Sequence, residues 1–229
     1  MRKKKSLGSI ILGLLVAAVV WFLQEKGILD KDGSSGGAKV PTAETGSTEF
    51  TQVQTQGSGW TYLKSCRLIT GRNSDGDSFH VKHEKGETEF RLYFVDTPES
   101  QFKTYGGGES NGQRIAEQGQ YFGGLEQGDT TTVGLAGKEL VKKILSKNDF
   151  QVLTKWEDVY GPERKYCLVV VPWEGKDVYL HELLVASGLA RIHTRGADLP
   201  QGRGFRDQKS YLKGIERDAR EQKVGAWGL

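Results

Sequence analysis

Two runs of strict alternation, with a polar break between them, limit what this chain can fold into more than any other feature. Phe79 and Val81 alternate with His80 and Lys82, and Phe90, Leu92 and Phe94 alternate with Arg91 and Tyr93. A period of two puts one set of side chains on one face of a strand and the rest on the other. Glu84, Lys85 and Gly86 supply the turn, so the two runs form an antiparallel hairpin. Its open ends come together, which makes neighbours of Asp77, just before the first run, and Asp96, just after the second. Asp75, Thr97 and Glu99 flank them, and Arg91 faces away from Phe90 and Leu92. A hard cation takes several oxygen ligands, and two carboxylates with a backbone carbonyl from a tight turn suit one.

The residues D-G-D-S at 75–78, followed by R-L-Y-F-V-D-T-P-E at 91–99, resemble the signature of the staphylococcal-nuclease-like thermonucleases. Either half alone is ordinary turn chemistry. Both halves in order, joined by a hairpin of matching length, carry the resemblance. It implies an α+β domain: an OB-fold, five-stranded β-barrel with helices packed on it. It also implies a monomeric, calcium-dependent nuclease that hydrolyses phosphodiester bonds of DNA or RNA, with single-stranded substrate preferred. Carried over residue by residue, the resemblance implies that Asp77, Asp96 and the carbonyl of Thr97 bind calcium, with Asp75 in support. Glu99 would orient or deprotonate the attacking water. Arg91 and Arg164 would donate to phosphate oxygens, which a guanidinium does in bidentate fashion.

The sequence departs from the family pattern in three places. Ser78 stands where threonine is usual and keeps the hydroxyl. Tyr160-Gly161-Pro162-Glu163-Arg164 is two residues longer than the family's Tyr-Gly-Arg, which makes Lys165 a second candidate. The tyrosines that follow Gly-Leu-Ala in the family, and stack on a bound nucleotide, are not matched; Ile192, His193, Thr194 and Arg195 follow instead, with His193 or Arg195 as substitutes. The competing class is a catalytically idle OB-fold module that binds single-stranded nucleic acid or a protein partner.

Charge bears on that choice. The formal net charge is +3, yet Arg2, Lys3, Lys4 and Lys5 contribute +4 and no acid occurs before Glu25. The rest of the chain carries 28 basic and 29 acidic residues and is close to neutral. Nucleic-acid contact must therefore rest on local placement of Arg and Lys rather than on a generally basic surface. Cys66 and Cys167 make no metal-binding pattern, and their spacing leaves buried thiols and a disulfide both open.

The chain divides into four parts. Residues 1–6 form a basic, cytoplasmic tip. Residues 7–23 are apolar apart from Gly8, Ser9 and Gly13, about 26 Å long as a helix. No small-x-small cleavage site follows, so a membrane signal anchor fits, with the following chain translocated. Residues 24–58 read as a flexible tether rich in Gly, Ser and Thr. The domain spans 59–229, with strands expected over 62–70, 150–156 and 165–172 beside the hairpin. Helices are expected over 113–122, over 131–145 with Asp129 or Thr130 as cap, over 178–190 and over 205–223. The Gly-rich loop 105–112 is expected beside the site, with Lys103 and Tyr105 near substrate. His80, His83, His181 and His193 show no ligand spacing and read as surface residues.

Overall fold

A computed structural model describes residues 49–229 except 52, 54–56, 58, 73 and 148. The basic tip, the apolar segment 7–23 and most of the expected tether lie outside the described residues. Among those described, no helix is long and apolar enough to cross a membrane.

The predicted hairpin forms from β2 (Ser78–His83) and β3 (Gly86–Leu92), in register from Ser78 opposite Arg91 to His83 opposite Gly86. Phe79, Val81, Phe90 and Leu92 are fully buried, as the alternation requires. On one side β2 pairs with β1 (Thr61–Leu68), which pairs with β5 (Phe150–Asp158). β5 in turn pairs with β6 (Arg164–Trp173). β3 and β6 then meet in parallel, Arg91 opposite Tyr166, and this pairing closes a five-stranded barrel. A closed sheet leaves no free edge among these strands. The buried core on its two faces includes Leu63, Cys66, Phe79, Phe90, Val152, Leu153 and Leu168. Cys66 and Cys167 are free, buried thiols.

Three short strands lie outside the predicted set. β7 (Lys176–Tyr179) extends β6 through Glu174 and Gly175, both at positive φ, as a tight two-residue hairpin demands. β4 (Val95–Asp96) and β8 (Arg191–Ile192) form a separate two-residue ladder that sets Asp96 opposite Arg191. Phe94 makes the corner into β4 at φ 73°, held by its N–H to Arg195 O at 2.8 Å. A non-glycine residue in that region is strained, and here the strain turns the chain so that Asp96 enters the site.

Among the described residues, four α-helices surround the barrel. They are α1 (Gly112–Tyr121), α2 (Gln127–Lys147), α3 (Leu180–Ala186) and α4 (Phe205–Glu221). The predicted core face of α2, Ala136, Leu140, Val141, Ile144 and Leu145, is buried. Its start differs from expectation: Asp129 and Thr130 lie inside the helix, and the Thr130 hydroxyl donates back to Glu126 O at 2.8 Å. The helix expected over 178–190 is shorter, because Val178 and Tyr179 complete β7 first. Trp227 packs back on the domain, its ring 4.8 Å from that of Phe122.

The expected tether overlaps a strap laid across the helices. Glu182 Oε2 accepts the Thr51 N–H at 2.9 Å, and Arg203 donates to the Thr51 hydroxyl at 2.8 Å. Phe50 and Val53 pack against the core.

Candidate active site

The site lies where the end of the β2–β3 hairpin meets β4 and α1. Asp77 and Asp96 are both buried, and a single nitrogen of Arg91, Nη2, reaches Asp96 Oδ1 at 2.6 Å and Asp77 Oδ2 at 3.2 Å. The Ser78 hydroxyl donates to Asp77 Oδ1 at 3.0 Å, and the Thr97 N–H donates to Asp77 Oδ2 at 3.0 Å. The hairpin geometry therefore does what the sequence predicts: it places Asp77, Asp96, Arg91 and Thr97 in one cluster.

α1 and β8 complete the cluster with residues that the motif does not contain. Arg114 Nη2 meets Asp96 Oδ1 at 2.8 Å while its Nε meets Glu99 Oε1 at 3.0 Å. Arg191 Nε meets Asp96 Oδ2 at 2.7 Å. Gln118, fully buried, ties the whole turn together: its Nε2 donates to Asp96 Oδ2 at 3.0 Å and Thr97 O at 3.1 Å, and its Oε1 accepts the Glu99 N–H at 3.0 Å. Asn111 donates from Nδ2 to Glu99 Oε2 at 3.3 Å and accepts the Lys103 N–H at 2.7 Å. Asn111 thereby fastens the Gly-rich loop to Glu99. The segment from Glu99 into that loop bears the exposed rings of Phe102 and Tyr105.

Burial and charge pull against each other here. Burial pushes the Asp77 carboxyl above the usual range, and Arg91 only partly opposes it. Burial also acts to raise Asp96, but Arg114, Gln118, Arg191 and Arg91 together outweigh it and hold that carboxyl low. His193 is held below its ordinary value by partial burial and by the nearby positive charge of Arg191, Arg114 and Arg91. That places His193, an exposed residue as expected, in the field of the cluster.

The other predicted residues stand apart. Asp75 lies in the turn before β2, where its N–H donates to Ser78 O at 2.8 Å, and no ion pair among the described residues joins it to the cluster. Arg164 lies on β6 opposite Glu89, with its Nε 2.8 Å from Glu89 Oε1 in a close ionic contact too bent to be a hydrogen bond. Lys165 pairs with Asp158, and Arg195 with Glu157 at 3.3 Å. The histidines are not uniformly superficial: His83 and His181 are buried.

The family model described as staphylococcal nuclease homologue matches residues 89–228, more than half of the chain. The chain belongs to that family. No curated protein matches it. The match to the staphylococcal nuclease homologue family opens inside β3, so it takes in Arg91, Asp96, Thr97 and Glu99 of the cluster, whereas Asp75 and Asp77 precede it.

The donor set suits a hard cation. Asp77, Asp96 and the Thr97 carbonyl offer only oxygens, and the buried Thr97 hydroxyl has no hydrogen-bond partner. That chemistry fits a cation such as calcium. Among the described residues no cluster of three or more His, Cys, Asp or Glu side chains could hold a metal. The candidate set is thus two carboxylates and a threonine.

Proposed function

We propose that this protein is a calcium-dependent nuclease that hydrolyses phosphodiester bonds of DNA or RNA, single-stranded by preference. The observation that carries this reading is the convergence of Asp77 and Asp96 on Arg91, and of Asp96 and Glu99 on Arg114, in a chain of the staphylococcal nuclease homologue family. Family membership supports a nuclease-like fold, and the cluster supplies the chemistry.

Phosphodiester hydrolysis requires an activated water and neutralisation of the charge that builds on the phosphate oxygens. Asp77, Asp96 and Thr97 would hold the cation, which supplies Lewis-acid stabilisation of a phosphoryl oxygen. Glu99 is the general base: its carboxylate is held from two sides, by Arg114 and Asn111, and partly open to solvent. The Asn111 hydrogen bond keeps it in place to accept a proton from water. Arg91 donates to a phosphate oxygen from a buried position, where a fixed positive charge is worth more than in water. Arg164 would join it after leaving Glu89. Phe102 and Tyr105 offer exposed rings to unpaired bases, which favours a single strand over a duplex.

The activity is assigned outside the cytoplasm, on a monomer held to the membrane through residues 7–23. The basic residues before that segment and the apolar run itself support this orientation. Protease shaving of intact cells would test it, since the domain should be lost while residues 1–6 stay protected.

The test of the function uses the full-length protein, with detergent present, on single-stranded DNA and RNA with calcium or chelator. Glu99→Gln keeps the shape of the base and removes its basicity. Calcium-dependent cleavage that collapses in Glu99→Gln is expected. A folded wild-type protein that binds nucleic acid but cleaves neither substrate overturns the reading.

A further inference from the structure

Six charged side chains meet at this site: the carboxylates of Asp77, Asp96 and Glu99, and the guanidiniums of Arg91, Arg114 and Arg191. Their charges balance without any other ion. Both oxygens of Asp96 are already taken, Oδ1 by Arg91 and Arg114, and Oδ2 by Arg191 and Gln118. A cation that is to use Asp96 must therefore displace a donor.

The three arginines are not equivalent candidates for release. Arg91 and Arg191 stand on strands with side chains only 11% and 7% exposed. Pulling either away would strand a charge in the interior, at a large cost. Arg114 is 44% exposed and projects from α1 at the solvent side. Its guanidinium can move into water at little cost. It also touches both Asp96 and Glu99, so its departure frees a cation ligand and the base together.

We propose that Arg114 is an exchangeable counter-ion, which holds the place of the divalent cation on Asp96 in the free protein and passes to the substrate phosphate when cation and nucleic acid bind. The proposal rests on the nuclease reading above. Exchanging one guanidinium for a divalent cation leaves the cluster with excess positive charge. A phosphodiester brings the compensating negative charge, and the displaced guanidinium can take it in bidentate fashion. Cation and substrate then strengthen each other's binding, and Arg114 is the element that couples them. Arg114 is thus a positioning residue in the free protein and a phosphate ligand in the complex.

Calorimetric titration of the full-length protein tests this. Wild type, Arg114→Ala and Arg114→Lys are titrated with calcium alone, and again with a phosphorothioate-linked thymidine tetranucleotide present. Arg114→Ala should bind calcium about tenfold more tightly than wild type, within the usual range of coupling factors. The tetranucleotide should tighten calcium binding to wild type but not to Arg114→Ala. Arg114→Lys, which keeps the charge and loses the fork, should bind calcium much as wild type does, with weaker coupling. Calcium affinity that is unchanged or weaker in Arg114→Ala overturns the exchange while leaving the nuclease reading intact. So does Arg114→Lys binding calcium as tightly as Arg114→Ala. Failure of calcium to bind any of the three proteins overturns both.

Discussion

Arg91 Nη2 lies 2.6 Å from Asp96 Oδ1 and 3.2 Å from Asp77 Oδ2, so one nitrogen joins the two ends of the hairpin. This contact has a structural as well as a chemical role. Both carboxylates are buried, and removing their shared partner takes from Asp77 the ion pair that compensates its charge in the interior, while Asp96 keeps Arg114 and Arg191. Arg91→Ala should therefore lower stability by about 3–5 kcal/mol, as breaking a buried ion pair does. Urea unfolding without calcium checks this. A loss under 1 kcal/mol would mean that Arg114 and Arg191 can carry the carboxylates without Arg91. Because Arg91 serves both purposes, its effect on cleavage has to be measured on the folded fraction.

Gly134 seats α2 against the turn that carries the base. A Cβ at this position would lie 2.4 Å from the carbonyl oxygens of both Pro98 and Glu99. By helix propensity alone, Gly134→Ala in α2 should gain about 1 kcal/mol. The clash with backbone should reverse that gain and give a net loss of about 1–3 kcal/mol. It should also push Glu99 out of place, and a displacement near 1 Å costs roughly a hundredfold in rate. Thermal unfolding and single-turnover cleavage together decide the matter. A Gly134→Ala protein that is more stable and fully active would show that the turn gives way freely.

The hairpin and its acids were legible in the sequence because a period of two is strict: a slip of one residue would turn Phe79, Val81, Phe90 and Leu92 out to solvent. The same constraint predicts that Arg91 faces away from the barrel core. Arg114, Gln118 and Arg191 were not legible. Arg114 and Gln118 share one face of a short helix, and nothing local shows that this face folds back on β4. Arg191 meets Asp96 through a ladder of two residue pairs, too short to leave a periodic signal. His181, with buried Glu182 beside it, misled for a related reason. Polar residues inside an apolar helix read as its exposed face, but here the strap and α4 supply buried polar partners, Thr51 and Gln208.

That buried pair makes stability depend on pH. His181 is fully buried, its Nε2 3.1 Å from Gln208 Nε2, and its ring stacks on Phe94 with centroids 5.1 Å apart. An amide N–H can donate only to a neutral imidazole here. Burial pushes the His181 pKa down to about 3 from an ordinary 6.5. The unfolded chain therefore binds the proton first, and the stability that His181 contributes is full above pH 6.5. It is lost as pH falls toward 3, at up to about 1.4 kcal/mol per pH unit. Glu182 acts in the opposite sense: burial raises its pKa, so its contribution is present at low pH and lost as pH rises through the folded value. The two partly offset each other. His181→Phe keeps the ring stack and removes the titration. Urea midpoints from pH 4.5 to 7.5 should show a shallower acid loss in this variant, by about one proton in the slope. Parallel slopes would assign the pH dependence to other groups.

The last prediction concerns which strands the site accepts. The family's stacking tyrosines are replaced after Ala190, yet Phe102 and Tyr105 present exposed rings on the segment from Glu99 into the loop that Asn111 fastens to it. The loop thus begins next to the base. Its rings can stack only on bases that are not paired, since a duplex hides the faces of its bases. Each stacked base is worth about 1–3 kcal/mol by alanine substitution. Phe102→Ala with Tyr105→Ala should therefore raise KM for single-stranded DNA by at least tenfold and leave kcat nearly unchanged. Duplex cleavage should change little, so the proposed preference for single strands should narrow. An equal loss on both substrates would make the loop a general support for Glu99. No loss on either would assign single-strand preference to another surface, where Tyr160, fully exposed between β5 and β6, is the next residue to change.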